Sequence, residues 1–217
     1  MGVKHWVDVV FNLKDLSMKK LIMFALLTCA LSVQAEDYAA WNKVNKDSVW
    51  TQATEVEVKK SNLTKLNPSD IDKFCLNYPN LSDEDKTVFW VGLISIMARP
   101  ESNFKPESTY IEKTIIDANK KNVVSRGLLQ ISQESANSYG CNIKDAKELH
   151  NPLINLSCGV KILDKLVTKD NIIGTYGPRS QQSTGGGKYW SVLRDRKNHF
   201  PEITGFTNKL NVCVAKK

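Results

Sequence analysis

The sequence predicts a mainly α, compact helical domain stapled by two disulfides, and three features carry that expectation. From Val88 to Met97 nearly every position is apolar (Val88, Phe89, Trp90, Val91, Leu93, Ile94, Ile96, Met97). A helix with almost no polar face belongs at the centre of a core. From Leu153 to Leu166 the apolar residues Leu153, Ile154, Leu156, Val160, Ile162, Leu163 and Leu166 recur at the spacing of an amphipathic helix. No segment alternates apolar and polar residues in the manner of a half-buried strand, and no internal repeat is present.

Length and composition bound the rest. The 217 residues suffice for one domain with a sizeable core, and 41% hydrophobic with 24% charged residues describes an ordinary globular protein. Met18-Lys19-Lys20, the apolar block Leu21 to Leu31 and then Val33-Gln34-Ala35 have the layout of a secretory signal peptide. The apolar block holds about a dozen residues against the roughly 20 that span a bilayer, so cleavage after Ala35 is expected rather than a stable membrane anchor. Met1 to Ser17 then stand upstream of a true start at Met18. A lipoprotein anchor at Cys29 is disfavoured, because Ala30-Leu31-Ser32 follows it.

The mature part has 26 basic against 21 acidic side chains, a net +5 that suits an anionic polymer without specifying one. It has no basic stripe interleaved with aromatics, so nucleic acid is not expected as a partner. Four cysteines remain: Cys75, Cys141, Cys158 and Cys213. Behind an export signal they read as two disulfides with three possible pairings. Cys141 with Cys158 as a local staple and Cys75 with Cys213 as a clasp is the favoured pairing, which spacing alone does not decide. With three histidines in the chain and no Cys-x-x-Cys pair, no metal or cofactor is expected.

Two segments follow the signal: an arm over 36–81, then a domain over 82–217 ending in a C-terminal tail. The arm is polar and lysine-rich, with Trp41 and Trp50 as large anchors, and is expected to be peripheral. Asn67-Pro68-Ser69-Asp70 is a turn and cap signal before a short helix over Ile71 to Tyr78. Ser82 followed by Asp85 resembles a capping box opening the apolar helix. Pro100 disfavours helical geometry at Arg99, so that helix is expected to end or turn sharply just before Glu101. Residues 105–124 read as a loop with some helical content. A glycine turn at Gly127 leads into Leu128, Leu129 and Ile131, and Ser132 to Tyr139 has helical composition. His150-Asn151-Pro152 opens the next helix, in which Gly159 allows another backbone to come close. Gly185-Gly186-Gly187 reads as a flexible connection.

Chemistry is suggested where a lone carboxylate, Glu101, sits at the edge of the apolar block. Burial beside apolar side chains disfavours the charged form, and a raised pKa lets a carboxyl group donate a proton near neutrality. "ESNF" at Glu101-Ser102, "SRGLLQIS" and "NPLINLSCGVKIL" occur in the order found in the soluble lytic transglycosylase and goose-type lysozyme superfamily, which this chain resembles from about Asp83 to Leu193. The resemblance implies a lysozyme-like helical domain with a substrate cleft and peptidoglycan as substrate. It implies that Glu101 is the catalytic acid and then base at the bond between N-acetylmuramic acid and N-acetylglucosamine. In that family the sugar's own 6-hydroxyl closes a 1,6-anhydro ring without a second carboxylate, and this outcome is favoured over hydrolysis.

Gln130 matches a family position that contacts substrate, with a satisfied core amide as its alternative. Tyr176 is the counterpart of the tyrosine in the family's late "AYNAG" motif, although "GTYGPRS" here puts Gly177 where the family has asparagine. Tyr189, beside Trp190, offers an aromatic surface for a sugar. Ser102 is a candidate substrate contact whose alternative is bracing the neighbouring turn, the role also expected of Ser125. A second departure is the stretch of about 25 residues between Glu101 and Gly127. Glu107, Glu112 or Asp117 in it would position a water for hydrolysis, or meet the free amine of a de-N-acetylated sugar; a solvated loop charge is the bland alternative for each.

The expected protein is thus an exported, periplasmic or secreted, monomeric enzyme acting on peptidoglycan strands. Two other classes compete. An inactive wall-binding protein would keep the cleft only to dock glycan, and a cysteine protease would use Cys75 or Cys158 with His150.

Overall fold

A computed structural model describes residues 37–117, 119–174, 183–195 and 197–214. The expectations for residues 1–35 and for Tyr176 lie outside the described residues.

Helix α1, Val49–Lys60, is followed by three short 3-10 turns at Leu63–Lys65, Ile71–Lys73 and Tyr78–Asn80. Helix α2, Asp83–Ser102, is the apolar centre. Ser82 caps it, its hydroxyl accepting the N–H of Asp85 at 3.1 Å, and Asp83, Glu84 and Asp85 place negative charge in the first turn. Phe89, Trp90, Val91 and Leu93 are fully buried, as the lack of a polar face requires. The helix does not stop before Glu101 as Pro100 suggested: it continues through Pro100 and Glu101 to Ser102. The proline removes one backbone donor, and the end is secured instead by the Asn103 amide, which donates to the carbonyls of Ala98 and Arg99. Asn103 and Phe104, with φ of 51° and 61°, then turn the chain out.

The stretch expected to be a loop is a β-hairpin. Strand β1, Thr109–Ile116, pairs antiparallel with β2, Asn122–Arg126, which pairs antiparallel with the short β3, Ile131–Ser132. Asp117 shapes the turn, one carboxylate oxygen accepting the amides of Asn119 and Lys121 at 2.9 and 2.8 Å. Helix α3, Gln133–Ser138, follows at once, capped by the Ser132 hydroxyl. Helix α4, Pro152–Asp170, starts with Pro152 at its first position and with the Asn151 side chain accepting the amides of Leu153 and Ile154. Helix α5, His199–Thr207, packs beside α2, and Arg99 joins Glu202 across them at 3.0 Å.

Residues 37–81 are not peripheral. Trp41, Val58, Leu63, Phe74 and Tyr78 are fully buried in the same core as α2, and the Trp90 indole donates to the Tyr78 hydroxyl at 2.8 Å. Their spacing along a polar segment hides them, because one large side chain every several residues leaves no periodic stripe. The disulfides are Cys75–Cys213 and Cys141–Cys158. Both thiols offered for a cysteine protease, Cys75 and Cys158, are therefore oxidised. Gly159 faces the Leu129 side chain, whose Cδ1 would lie 2.2 Å from an added Cβ, rather than another backbone. The Gly185-Gly186-Gly187 tract is buried rather than a flexible connection. The Gly185 amide donates to Asp170 at 2.7 Å, and Asp170 pairs with Lys188 at 2.7 Å. Among the described residues no helix is long and apolar enough to cross a membrane.

Candidate active site

The last turn of α2, the hairpin, the turn before β3 and residues 189–194 enclose a cleft of about 780 Å³. Glu101, half-buried at the end of the apolar helix, lines it, and desolvation raises its pKa from 4.5 to about 7. The negative charge of Glu112 on β1 adds to the rise, and the positive charge of Arg194 opposes it. The carboxyl is therefore substantially protonated at neutral pH, the condition for a general acid.

The helix end is tied to the opposite wall by Ser102. Its buried hydroxyl reaches the carbonyls of Ala98 at 3.1 Å and Leu128 at 2.9 Å, so Ser102 braces the turn and does not reach the cleft. Ser125 lines the cleft from β2. The turn Gly127 to Gln130 is held from below by Asn155 of α4, which is fully buried. The Asn155 amide nitrogen donates to the carbonyls of Arg126 and Leu149, and its oxygen accepts the Leu129 amide, each at 2.9 Å. Gly127 has φ of +76°, and an added Cβ would lie 2.1 Å from the Leu149 carbonyl oxygen. Gly127→Ala is thus expected to cost at least about 2 kcal/mol and to lower activity along with stability, measured by urea unfolding and by glycan cleavage.

Gln130 is neither a free contact nor a fully satisfied core amide. Its φ is 47°, and its Nε2 donates to Gly127 O at 2.9 Å and Ser108 O at 3.3 Å. Its Oε1 is buried without a hydrogen-bond partner among the described residues, while the residue lines the cleft. An unpaired buried acceptor at a cleft wall is a place where a ligand donor gains. Tyr189 also lines the cleft and lies within the field of Glu101; burial raises its pKa, and its hydroxyl accepts the Ser132 amide at 3.3 Å. Its ring packs edge-on against Tyr139 and Trp190. Trp190 is core, with its indole donating to Leu129 O at 2.9 Å.

Of the three carboxylates between Glu101 and Gly127, Glu112 is at the cleft. Glu107 is exposed away from it and Asp117 is occupied in the hairpin turn. Arg194 was not foreseen from sequence. It lines the cleft and donates to the carbonyl of Gly187, and a lone arginine after an aromatic pair carries no signal of that placement. Among the described residues no three His, Cys, Asp or Glu side chains could together hold a metal ion.

A helical domain whose cleft carries a half-buried, proton-holding glutamate at the end of its central helix defines the lysozyme-like class. Residues 80–176 match the family model described as the Transglycosylase SLT domain. Solved structures of DslA (Bd0314) are similar over most of the chain. The wild-type form 2 is 40% identical with a TM-score of 0.72, covering 82% of this chain and 96% of that one. Two variants, each with one glutamate replaced by glutamine, align at 40% and 39% identity with the same TM-score and coverage. The two replaced glutamates stand eleven positions apart in DslA, the spacing of Glu101 and Glu112 here. No curated protein matches. The chain belongs to the SLT transglycosylase family, peptidoglycan lytic transglycosylases that cleave glycan strands.

Proposed function

We propose that this chain is an exported muramidase that cleaves the β-1,4 bond between N-acetylmuramic acid and N-acetylglucosamine, with Glu101 as the acid. The observation that carries the reading is the Glu101 carboxyl, half-buried at the cleft with its pKa raised to about 7 by desolvation. It gives its proton to the glycosidic oxygen as the bond to the muramic C1 breaks, leaving an oxocarbenium-like sugar and a Glu101 carboxylate. Gln130 Oε1 accepts a hydrogen bond from a sugar N–H or O–H, and Tyr189 forms an apolar wall for the ring. Two disulfides and a peptidoglycan substrate agree with a place outside the cytoplasm.

Two outcomes compete for the second half of the reaction. In the family's reaction the muramic 6-hydroxyl attacks C1, Glu101 takes its proton, and a 1,6-anhydro end results. Glu112 supports the other outcome. A second carboxylate lining the same cleft, near enough to raise the Glu101 pKa, can take a proton from a water that attacks C1, giving a reducing end. The geometry supports this hydrolytic reading best. Mass spectrometry of the released muropeptides tests it: reducing ends are expected, with Glu112→Gln depressing their formation, and anhydro ends throughout would return the reaction to transglycosylation.

Substrate choice follows from the same charges. Glu112 and Glu134 line the cleft beside the protonated Glu101 and outnumber its one cation among the described residues, Arg194, and carboxylates there favour a sugar that carries an ammonium in place of an acetamide. Faster cutting of de-N-acetylated wall is expected, and equal cutting of both walls contradicts it.

The electrostatics make a further prediction. With Glu112→Gln the like charge is gone, so the Glu101 pKa falls and the alkaline limb of kcat/KM moves to lower pH. Arg194→Gln removes the opposing charge and moves the limb to higher pH. Residual activity followed against pH reads both shifts.

A further inference from the structure

Strand β2 is a wall one strand thick with a hollow on each side. Successive side chains of a strand point to opposite faces. Ser125 lines the catalytic cleft, whereas Asn122, Val124 and Arg126 line a second hollow of about 420 Å³ floored by α3. The two hollows meet at one rim, because Val123, Ser132 and Glu134 line both.

The second hollow has a chemistry unlike the cleft's. Two cations, Arg126 and Lys121, and two carboxylates, Glu134 and the turn-forming Asp117, line it together with exposed amides such as Asn122 and Asn137. The Arg126 Nη1 donates to the Val124 carbonyl at 2.9 Å, which fixes the guanidinium and leaves its remaining N–H groups for a carboxylate. Two cations, two acids and the amides among them complement a short zwitterionic peptide better than a neutral sugar. Peptidoglycan supplies such a group: each muramic residue carries a peptide on its lactyl ether, with carboxylates along it and an amine on its diamino acid. A peptide leaving a sugar in the cleft needs to cross only the rim that the two hollows share.

We propose that the hollow behind β2 docks the stem peptide of a muramic residue bound in the cleft, with Arg126 and Lys121 receiving its carboxylates. The inference rests on the glycan-cleaving reading of the cleft. It makes the hairpin a reader of both parts of the substrate, sugar on one face and peptide on the other.

The test is a titration of the whole protein with the free stem tetrapeptide (L-Ala, D-Glu, a diamino acid, D-Ala), followed by NMR of backbone and side-chain amides. Saturable shifts are expected at Asn122, Arg126 and Asn137. Binding should weaken about tenfold in the Arg126→Gln/Lys121→Gln protein, the loss of one or two charge-assisted hydrogen bonds. Asn122→Trp, which fills the hollow from an exposed position, should abolish binding while the rest of the spectrum reports an intact fold. In parallel, kcat/KM is compared on peptide-bearing and amidase-stripped glycan strands. The wild type is expected to prefer the peptide-bearing strands, and both variants to lose that preference. Absence of saturable shifts in the hollow, or shifts confined to Ser125 and Tyr189 in the cleft, overturns the proposal even if glycan is cut. Peptide binding in the hollow with no cutting of either strand supports the docking site and instead overturns the glycan-cleaving reading.

Discussion

Glu101→Gln is expected to lose glycan cleavage by about 10²- to 10⁴-fold, the usual contribution of a positioned general acid, while making the protein more stable at neutral and alkaline pH. The two effects share a cause. Folding raises the Glu101 pKa from 4.5 to about 7, so the folded state holds the proton more tightly than the unfolded chain. Below about 4.5 both states are protonated and burial of the group carries no ionisation penalty. As pH rises towards 7 the unfolded chain ionises first and stability falls; above about 7 the penalty stays constant. Glutamine cannot ionise. The difference in Tm between variant and wild type should therefore be small in acid, grow between those two values and level off above them. Scanning calorimetry at several pH values reads the stability, and release of soluble fragments from purified sacculi reads the activity. A stability gain without loss of cleavage would leave Glu101 buried but not catalytic.

Removing the Cys75–Cys213 disulfide is expected to have the largest effect on folding. The bridge spans 138 residues of sequence, and the chain-entropy model gives about 5 kcal/mol for a loop of that size against about 3 kcal/mol for the 17-residue span of Cys141–Cys158. Both half-cystines are buried, and the bridge joins the segment before α2 to the chain after α5, so it encloses the helix that carries Glu101. Paired alanine replacements at each bridge, compared by urea unfolding, should rank the long clasp above the short staple. The reverse ranking would mean that the ends are held by packing of Trp41, Phe74 and Tyr78 rather than by the covalent closure.

The sequence was most readable where a buried face imposes a period. Helix α2 was evident from its continuous apolar run and α4 from its spacing, and the turn at Gly127 from the glycine ahead of an apolar segment. The hairpin was missed because a period of two appears only when one strand face is buried. Tyr110, Ile111, Ile115 and Ile116 are all more than half exposed, so apolar residues occur on both faces of β1. The available signal was compositional: Thr109, Tyr110, Ile111, Thr114, Ile115 and Ile116, then Val123 and Val124, flank a polar turn at 117–121. Missing the hairpin left Glu112 indistinguishable from Glu107 and Asp117, since only the pairing of β1 with β2 brings one of the three to Glu101. Helix continuation through Pro100 was likewise hidden. Proline's preference against helix at the preceding residue is local, and the Ser102 hydroxyl that ties the helix end to Leu128 is a contact between distant segments.

The most direct test of the central claim is the pH dependence of kcat/KM for release of muropeptides by the wild-type protein. If Glu101 is the proton donor, activity falls tenfold per pH unit above about 7, and Glu112→Gln moves that limb towards acid. An activity that already falls from about 4.5, or that persists in Glu101→Gln with the same profile, would contradict it.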